Sequence, residues 1–254
     1  MARMKFMNTE VDNLTMLETL KEIEKIIKKD ECAYVVTPNV DHIVQLETNK
    51  ELQAVYENAA LILTDGKPLL WIAKWYKTPI KEKISGSDLF PLLCRLSANR
   101  GYKMFFLGAA EGVAAKAAKN LCERYEGLKV VGTYSPPFGF ENDKDEIEKI
   151  KQMLKSTAPD ILIVGLGCPK QEKFMYRYCK ELGVPISFGL GASFDFEAGN
   201  IKRAPRWMAD HGLEWLFRIT QDPKRMAKRY LVDDRKIVGL AVKYKKEKKH
   251  EDTI

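Results

Sequence analysis

Six short, almost unbroken apolar runs recur along the chain, each separated from the next by a stretch whose apolar residues fall at helical spacing. They occupy residues 33–37, 61–66, 103–107, 128–134, 160–165 and 185–189. A run without polar alternation reads as a strand buried on both faces, and helices between such strands are the crossovers that cover them. Those helices are expected over residues 14–29, 41–58 in two pieces, 68–76, 89–99, 111–125, 143–155 and 170–182. Right-handed βαβ units of this kind imply one fold class: α/β, a Rossmann-like, mostly parallel sheet covered by helices.

After residue 195 the texture changes. Residues 200–254 hold 15 Lys+Arg against 8 Asp+Glu, whereas residues 1–199 hold 27 of each, so the whole excess of +7 belongs to the tail. Residues 203–220 carry Trp207, Met208, Leu213, Trp215, Leu216, Phe217 and Ile219 on one broad helical side. Asp222-Pro223 opens a basic helix with Lys224, Arg225, Lys228 and Arg229, and a last helix runs into Lys245-Lys246-Glu247-Lys248-Lys249. The expected division is therefore an α/β domain over 1–195 and a helical, basic appendage over 196–254. Such helices suit a peripheral attachment to an anionic membrane; the competing reading is a cap packed on the domain or on a second subunit.

No apolar stretch approaches a membrane span, and the start has no signal-peptide core, so a cytoplasmic protein is expected. Five scattered cysteines without a CxxC pair read as reduced thiols, and three distant histidines give no spacing for a metal site. Neither Gly165-Leu166-Gly167 nor Gly189-Leu190-Gly191 completes a dinucleotide fingerprint, and no P-loop is present. Asp143-Lys144-Asp145 spells a D-x-D, but at a helix start, where acids favour the macrodipole. No cofactor and no metal are expected.

In open α/β sheets, ligands gather where the strands' carboxyl ends open. The polar groups there are Thr37 and Asn39, Asp65, Gly108, the turn from Gly165 to Gln171, and the turn from Gly191 to Asp195. Glycine-rich turns that open a helix offer N–H groups to a diphosphate, and a glutamine can both donate to and accept from a sugar or base. Each is also an ordinary βα turn by itself, and Asp65, Thr37 or Asn39 can serve as a helix cap. A non-catalytic nucleic-acid binder using the basic tail is disfavoured, because the body has no basic-aromatic recognition face.

Several ordered blocks carry a family resemblance: Thr37-Pro38-Asn39 with His42, Asp65-Gly66-x-Pro68, Ser85-Gly86-Ser87-Asp88, Gly167-x-Pro169-Lys170-Gln171-Glu172, Gly189-x-Gly191-Ala192-x-Phe194-Asp195, Arg203-Ala204-Pro205-x-Trp207 and Gly212-Leu213-Glu214-Trp215-Leu216. Over residues 37–230 the chain resembles the bacterial WecG/TagA/CpsF glycosyltransferases. The resemblance implies an inverting, metal-independent transfer of N-acetylmannosamine from UDP-N-acetylmannosamine to the 4-hydroxyl of N-acetylglucosamine on undecaprenyl diphosphate, in wall teichoic acid synthesis. A relative using another UDP-sugar, such as the uronic acid form, is the alternative. It also implies a homo-oligomer, and an appendage that meets the membrane and helps complete the site. Asp65 matches the family's proposed general base; Thr37 and Asn39 match contacts beside it. Gly108 and Gln171 fall in nucleotide-sugar blocks, and Asp195 matches an acid near the rim. Lys83, a further candidate substrate contact, stands where the family usually has arginine, so a point charge rather than a bidentate diphosphate clamp is expected there. Arg218 and Arg225 are the candidate cations for the lipid diphosphate, with Lys228 and Arg229 as further basic contacts toward membrane and lipid.

Overall fold

Successive residues of each apolar run point to opposite faces of a sheet, and both faces are buried except along the edge run over 129–134, whose residues stay part-exposed. The computed structural model describes residues 3–251. In chain order its strands are β1 (Arg3–Phe6), β2 (Thr9–Asp12), β3 (Ala33–Val36), β4 (Leu61–Ile62), β5 (Lys103–Gly108), β6 (Lys129–Tyr134), β7 (Ile161–Gly165) and β8 (Ile186–Gly189). The last six form one parallel sheet in the order β4-β3-β8-β7-β5-β6. Tyr34, Val36, Phe105, Leu107, Leu162 and Val164 enter the core on one face. Their neighbours Val35, Met104, Phe106, Ile161 and Ile163 enter the core on the other. That two-sided burial is why the runs lack polar alternation.

The covering helices are α1 (Met16–Lys29), α2 (Val40–Leu46), α3 (Lys50–Glu57), α4 (Lys67–Trp75), α5 (Gly86–Arg100), α6 (Val113–Arg124), α7 (Lys144–Thr157), α8 (Lys170–Leu182) and α9 (Gly191–Glu197). Three features depart from the sequence expectation. β1 and β2 form an antiparallel hairpin too short to announce itself; its buried Asp12 accepts the Ile62 N–H at 2.8 Å and is gripped by Arg3. β4 stops at Ile62, although Leu63 and Asp65 still donate to the carbonyls of Val36 and Pro38 at 2.9 and 2.8 Å. The Ser85-Gly86-Ser87-Asp88 stretch is no loop, because the Ser85 hydroxyl caps α5 by accepting the Asp88 N–H.

The C-terminal segment folds into α10 (Arg206–Asp210), α11 (Glu214–Gln221), α12 (Pro223–Ala227), a π-helical turn (Lys228–Asp233) and α13 (Lys236–Glu251). One helix was expected over 203–220; the chain instead breaks at Gly212, whose φ of +73° suits glycine and whose missing Cβ leaves room for the Trp71 ring. α13 packs on the body. Ala241 is buried, Tyr76 donates its hydroxyl to the Ala241 carbonyl at 2.6 Å, and Tyr244 donates to Glu47 at 2.8 Å. No helix among the described residues is long and apolar enough to cross a membrane.

Candidate active site

The strand order makes β3 and β4 run to one edge and β5 and β6 to the other, and a crevice opens above the carboxyl ends between them. A cavity of about 620 Å³ fills it. Thr37 and Asn39 reach it from the end of β3, Asp65 from beyond β4, Ala109 from β5, Gln171 from the β7 turn and Asp195 from α9. Arg218 of α11 and Arg229 of the π-helical turn close it from the C-terminal side. Turns separated by more than a hundred residues thus share one space.

Asp65 is partly covered, and burial pushes its carboxyl up to about 6, with Arg218 and Lys83 pulling it down and Glu214 and Asp88 pushing it up. A carboxylate with that affinity is poised to take a proton near neutral pH. It also lines a smaller adjoining space of about 100 Å³, shared with Lys83, Glu214, Arg218 and Arg229. Lys83 reaches Asp88 at 3.0 Å, and Arg203 pairs with the same carboxylate. The Ser85 hydroxyl, Arg203 and Lys83 outweigh burial and hold Asp88 at about 2.

Asn39 caps α2 by accepting the His42 N–H at 3.4 Å, and its Oδ1 also receives Arg229 at 3.1 Å. Arg229 lies 3.6 Å from Asp41, while Arg218 donates to Glu214 at 2.7 Å and its Nε has no partner among the described residues. Gln171 is buried at the first turn of α8. Its amide nitrogen donates to Glu172 at 2.8 Å, and its Oε1 has no partner among the described residues. A Cβ on Gly189 or Gly191 would come within 2.9 Å of the Gln171 side chain, so these two glycines make the slot in which it lies.

Gly108 does not itself line the cavity. Its φ is +102° and a Cβ would sit 2.4 Å from the Gly165 carbonyl oxygen; it turns the chain so that Ala109 faces the space. Asp195 lies at the rim beside Asn200, whose amide reaches it at 3.5 Å. Lys228 is exposed and lines neither space, and the side chain of Arg225 lies outside the described residues. Arg203, Asp88 and Glu214, which had been given no role, turn out to sit in the charge network around Asp65. The i,i+4 spacing of Glu214 and Arg218 was the legible signal for one of these pairs.

The family model described as "Glycosyl transferase WecG/TagA/CpsF family" matches residues 4–251. The chain is 31% identical over 199 residues to an N-acetylglucosaminyldiphosphoundecaprenol N-acetyl-beta-D-mannosaminyltransferase of Bacillus spizizenii, covering 78% of this chain and 75% of the relative. It is 32% identical over 171 residues to the Bacillus subtilis protein of the same name, covering 67% and 64%. A Staphylococcus aureus protein of that name is 25% identical over 229 residues, covering 89% and 88%. A match over nearly the whole chain places this protein in the WecG/TagA/CpsF family of glycosyl transferases.

Proposed function

We propose that the chain transfers N-acetylmannosamine from UDP-N-acetylmannosamine to the 4-hydroxyl of N-acetylglucosamine on undecaprenyl diphosphate, with inversion to a β-1,4 link. The names of its relatives support the acceptor and the sugar. The observation that carries the chemistry is a partly covered carboxylate with a raised proton affinity, Asp65, facing a cavity that also holds glycine turns and two arginines. The acceptor oxygen attacks the anomeric carbon, its proton passes to Asp65, and the bonding pair to the diphosphate oxygen leaves with UDP. The growing negative charge is assigned to the guanidinium of Arg218 and to the backbone of the turn at Gly167, which line the same cavity. Gln171 Oε1 offers an acceptor to an N–H of the donor's base or acetamido group.

The test is turnover of UDP-N-acetylmannosamine with a lipid-diphosphate N-acetylglucosamine acceptor, run beside other UDP-sugars. The expected result is a marked preference for the N-acetylmannosamine donor, with turnover lost in Asp65→Asn while that variant still binds the donor. Equal use of a uronic acid donor, or near-normal turnover by Asp65→Asn, overturns the assignment.

A further inference from the structure

His42 and Cys168 line the cavity, and with Glu172 behind them they bring an imidazole nitrogen, a sulfur and a carboxylate oxygen within 4.8 Å of one another. His42 comes from α2, after β3; the other two come from the turn and helix after β7, so the cluster bridges the end of β8. His42 and Glu172 stand 130 positions apart, which is why no sequence spacing announces them.

Each of the three side chains has its own outer partner. His42 Nδ1 lies 2.9 Å from Asn39 Oδ1 and 3.4 Å from the Asn39 backbone N–H, which holds the ring edge in place, and Nε2 turns toward Glu172 Oε1 at 3.2 Å. Gln45 donates to Cys168 Sγ at 3.4 Å, and Gln171 donates to Glu172 Oε1 at 2.8 Å. Glu172 is 1% exposed, and its Oε2 has no partner among the described residues. An imidazole nitrogen facing a buried carboxylate is satisfied by a positive or hydrogen-bonding centre between them, either a proton or a metal ion. Orientation of each ligand by an outer hydrogen bond is the arrangement that metal sites use.

We propose that His42, Cys168 and Glu172 form a binding site for a soft divalent cation of the Zn²⁺ class, clamping the start of α2 to the start of α8. A nitrogen, a sulfur and an oxygen ligand with a fourth position toward the cavity is a set that Zn²⁺ accepts. Bonds of about 2.0 Å to nitrogen and about 2.3 Å to sulfur at tetrahedral angles put ligand atoms about 3.5 Å apart. The His42–Glu172 pair is already that close, and the sulfur must close in by roughly 1 Å, within the reach of a rotamer adjustment. The site does not depend on the transfer reaction, and its occupancy fixes the helix turn that carries Gln171.

The full chain, stripped with chelator and dialysed against micromolar Zn²⁺, is expected to retain one ion per chain by elemental analysis. Co²⁺ in its place is expected to give the thiolate-to-metal absorption band in the near ultraviolet. Cys168→Ser and Cys168→Ala should abolish that band and weaken Zn²⁺ binding tenfold or more, with an unchanged circular dichroism spectrum. A Cys32→Ser/Cys122→Ser variant, which removes the two exposed thiols, should bind as the parent does. His42→Gln should also lose the ion. No retained Zn²⁺ at micromolar concentration overturns the proposal, as does binding that survives both Cys168 variants unchanged.

Discussion

At the scale of single residues, Asp65 sets the chemistry and its cost. Burial raises its carboxyl from 3.8 to about 6, so the folded chain holds that proton more tightly than the unfolded chain does. Below about pH 4 both states are protonated and Asp65 costs nothing; as pH rises from about 4 through 6 the folded state must carry a partly buried charge, and stability falls by about 3 kcal/mol. Asp65→Asn should therefore raise the melting temperature at pH 8, leave it unchanged near pH 4, and remove turnover. Parallel melting curves at the two pH values check this; equal effects at both would mean that the carboxylate is not destabilised. The same proton governs rate. If Asp65 is the base, kcat/KM falls on the acid side of about pH 6. Arg218 lowers that pKa and Glu214 raises it. Arg218→Ala should move the acidic limb to higher pH and Glu214→Gln to lower pH, two opposite displacements that a pH–rate series resolves.

At the scale of elements, close backbone approach decides where the site's walls stand. Gly108 carries a positive φ against the Gly165 carbonyl, and the ring of Phe194 lies within 2.6 Å of where a Gly165 Cβ would be. Gly108→Ala is expected to cost roughly 2 kcal/mol or more and lower the melting temperature by several degrees. Gly189→Ala should behave differently. It meets only the far end of the Gln171 side chain, so donor affinity measured by calorimetry should drop several-fold while the melting temperature barely moves. How much of this was legible follows the same physics. The six strands were readable because two-sided burial writes unbroken apolar runs, and the strand-end residues Thr37, Asn39, Asp65 and Gln171 followed from where such runs stop. The hairpin was not, because two four-residue strands with one buried aspartate leave no periodic trace. The break at Gly212 was not, because its reason is Trp71, far away in sequence. The Asp88–Arg203 pair was hidden for the same reason: ion pairs between distant segments have no local signature.

At the scale of the whole molecule, the last helix does not hang free. Lys243 pairs with Glu47, Lys248 reaches the Tyr76 carbonyl at 3.3 Å, and Ala241 sits in the body's core. Removing α13 therefore strips packing from Tyr76 and its neighbours, and a chain ending at residue 235 should melt several degrees lower than the full chain. Loss of vesicle binding in such a truncation would not separate a membrane role from unfolding, so the membrane reading needs surface substitutions. Trp71 is 55% exposed, Trp75 47% and Trp207 61%, and Trp71 meets the α10–α11 connection at Gly212, which puts α4 and the C-terminal helices on one surface. Exposed indoles beside basic helices suit the headgroup layer, where ring and charge are both satisfied. If this surface meets lipid, the full chain floats with vesicles containing anionic lipid, and Trp71→Ala/Trp207→Ala loses flotation with an unchanged circular dichroism spectrum and unchanged donor binding. Rising salt should weaken flotation without ending it, because screening reaches the lysines and not the buried indoles. Flotation abolished by salt alone, or untouched in the double variant, would assign the attachment to charge and remove the tryptophans from it.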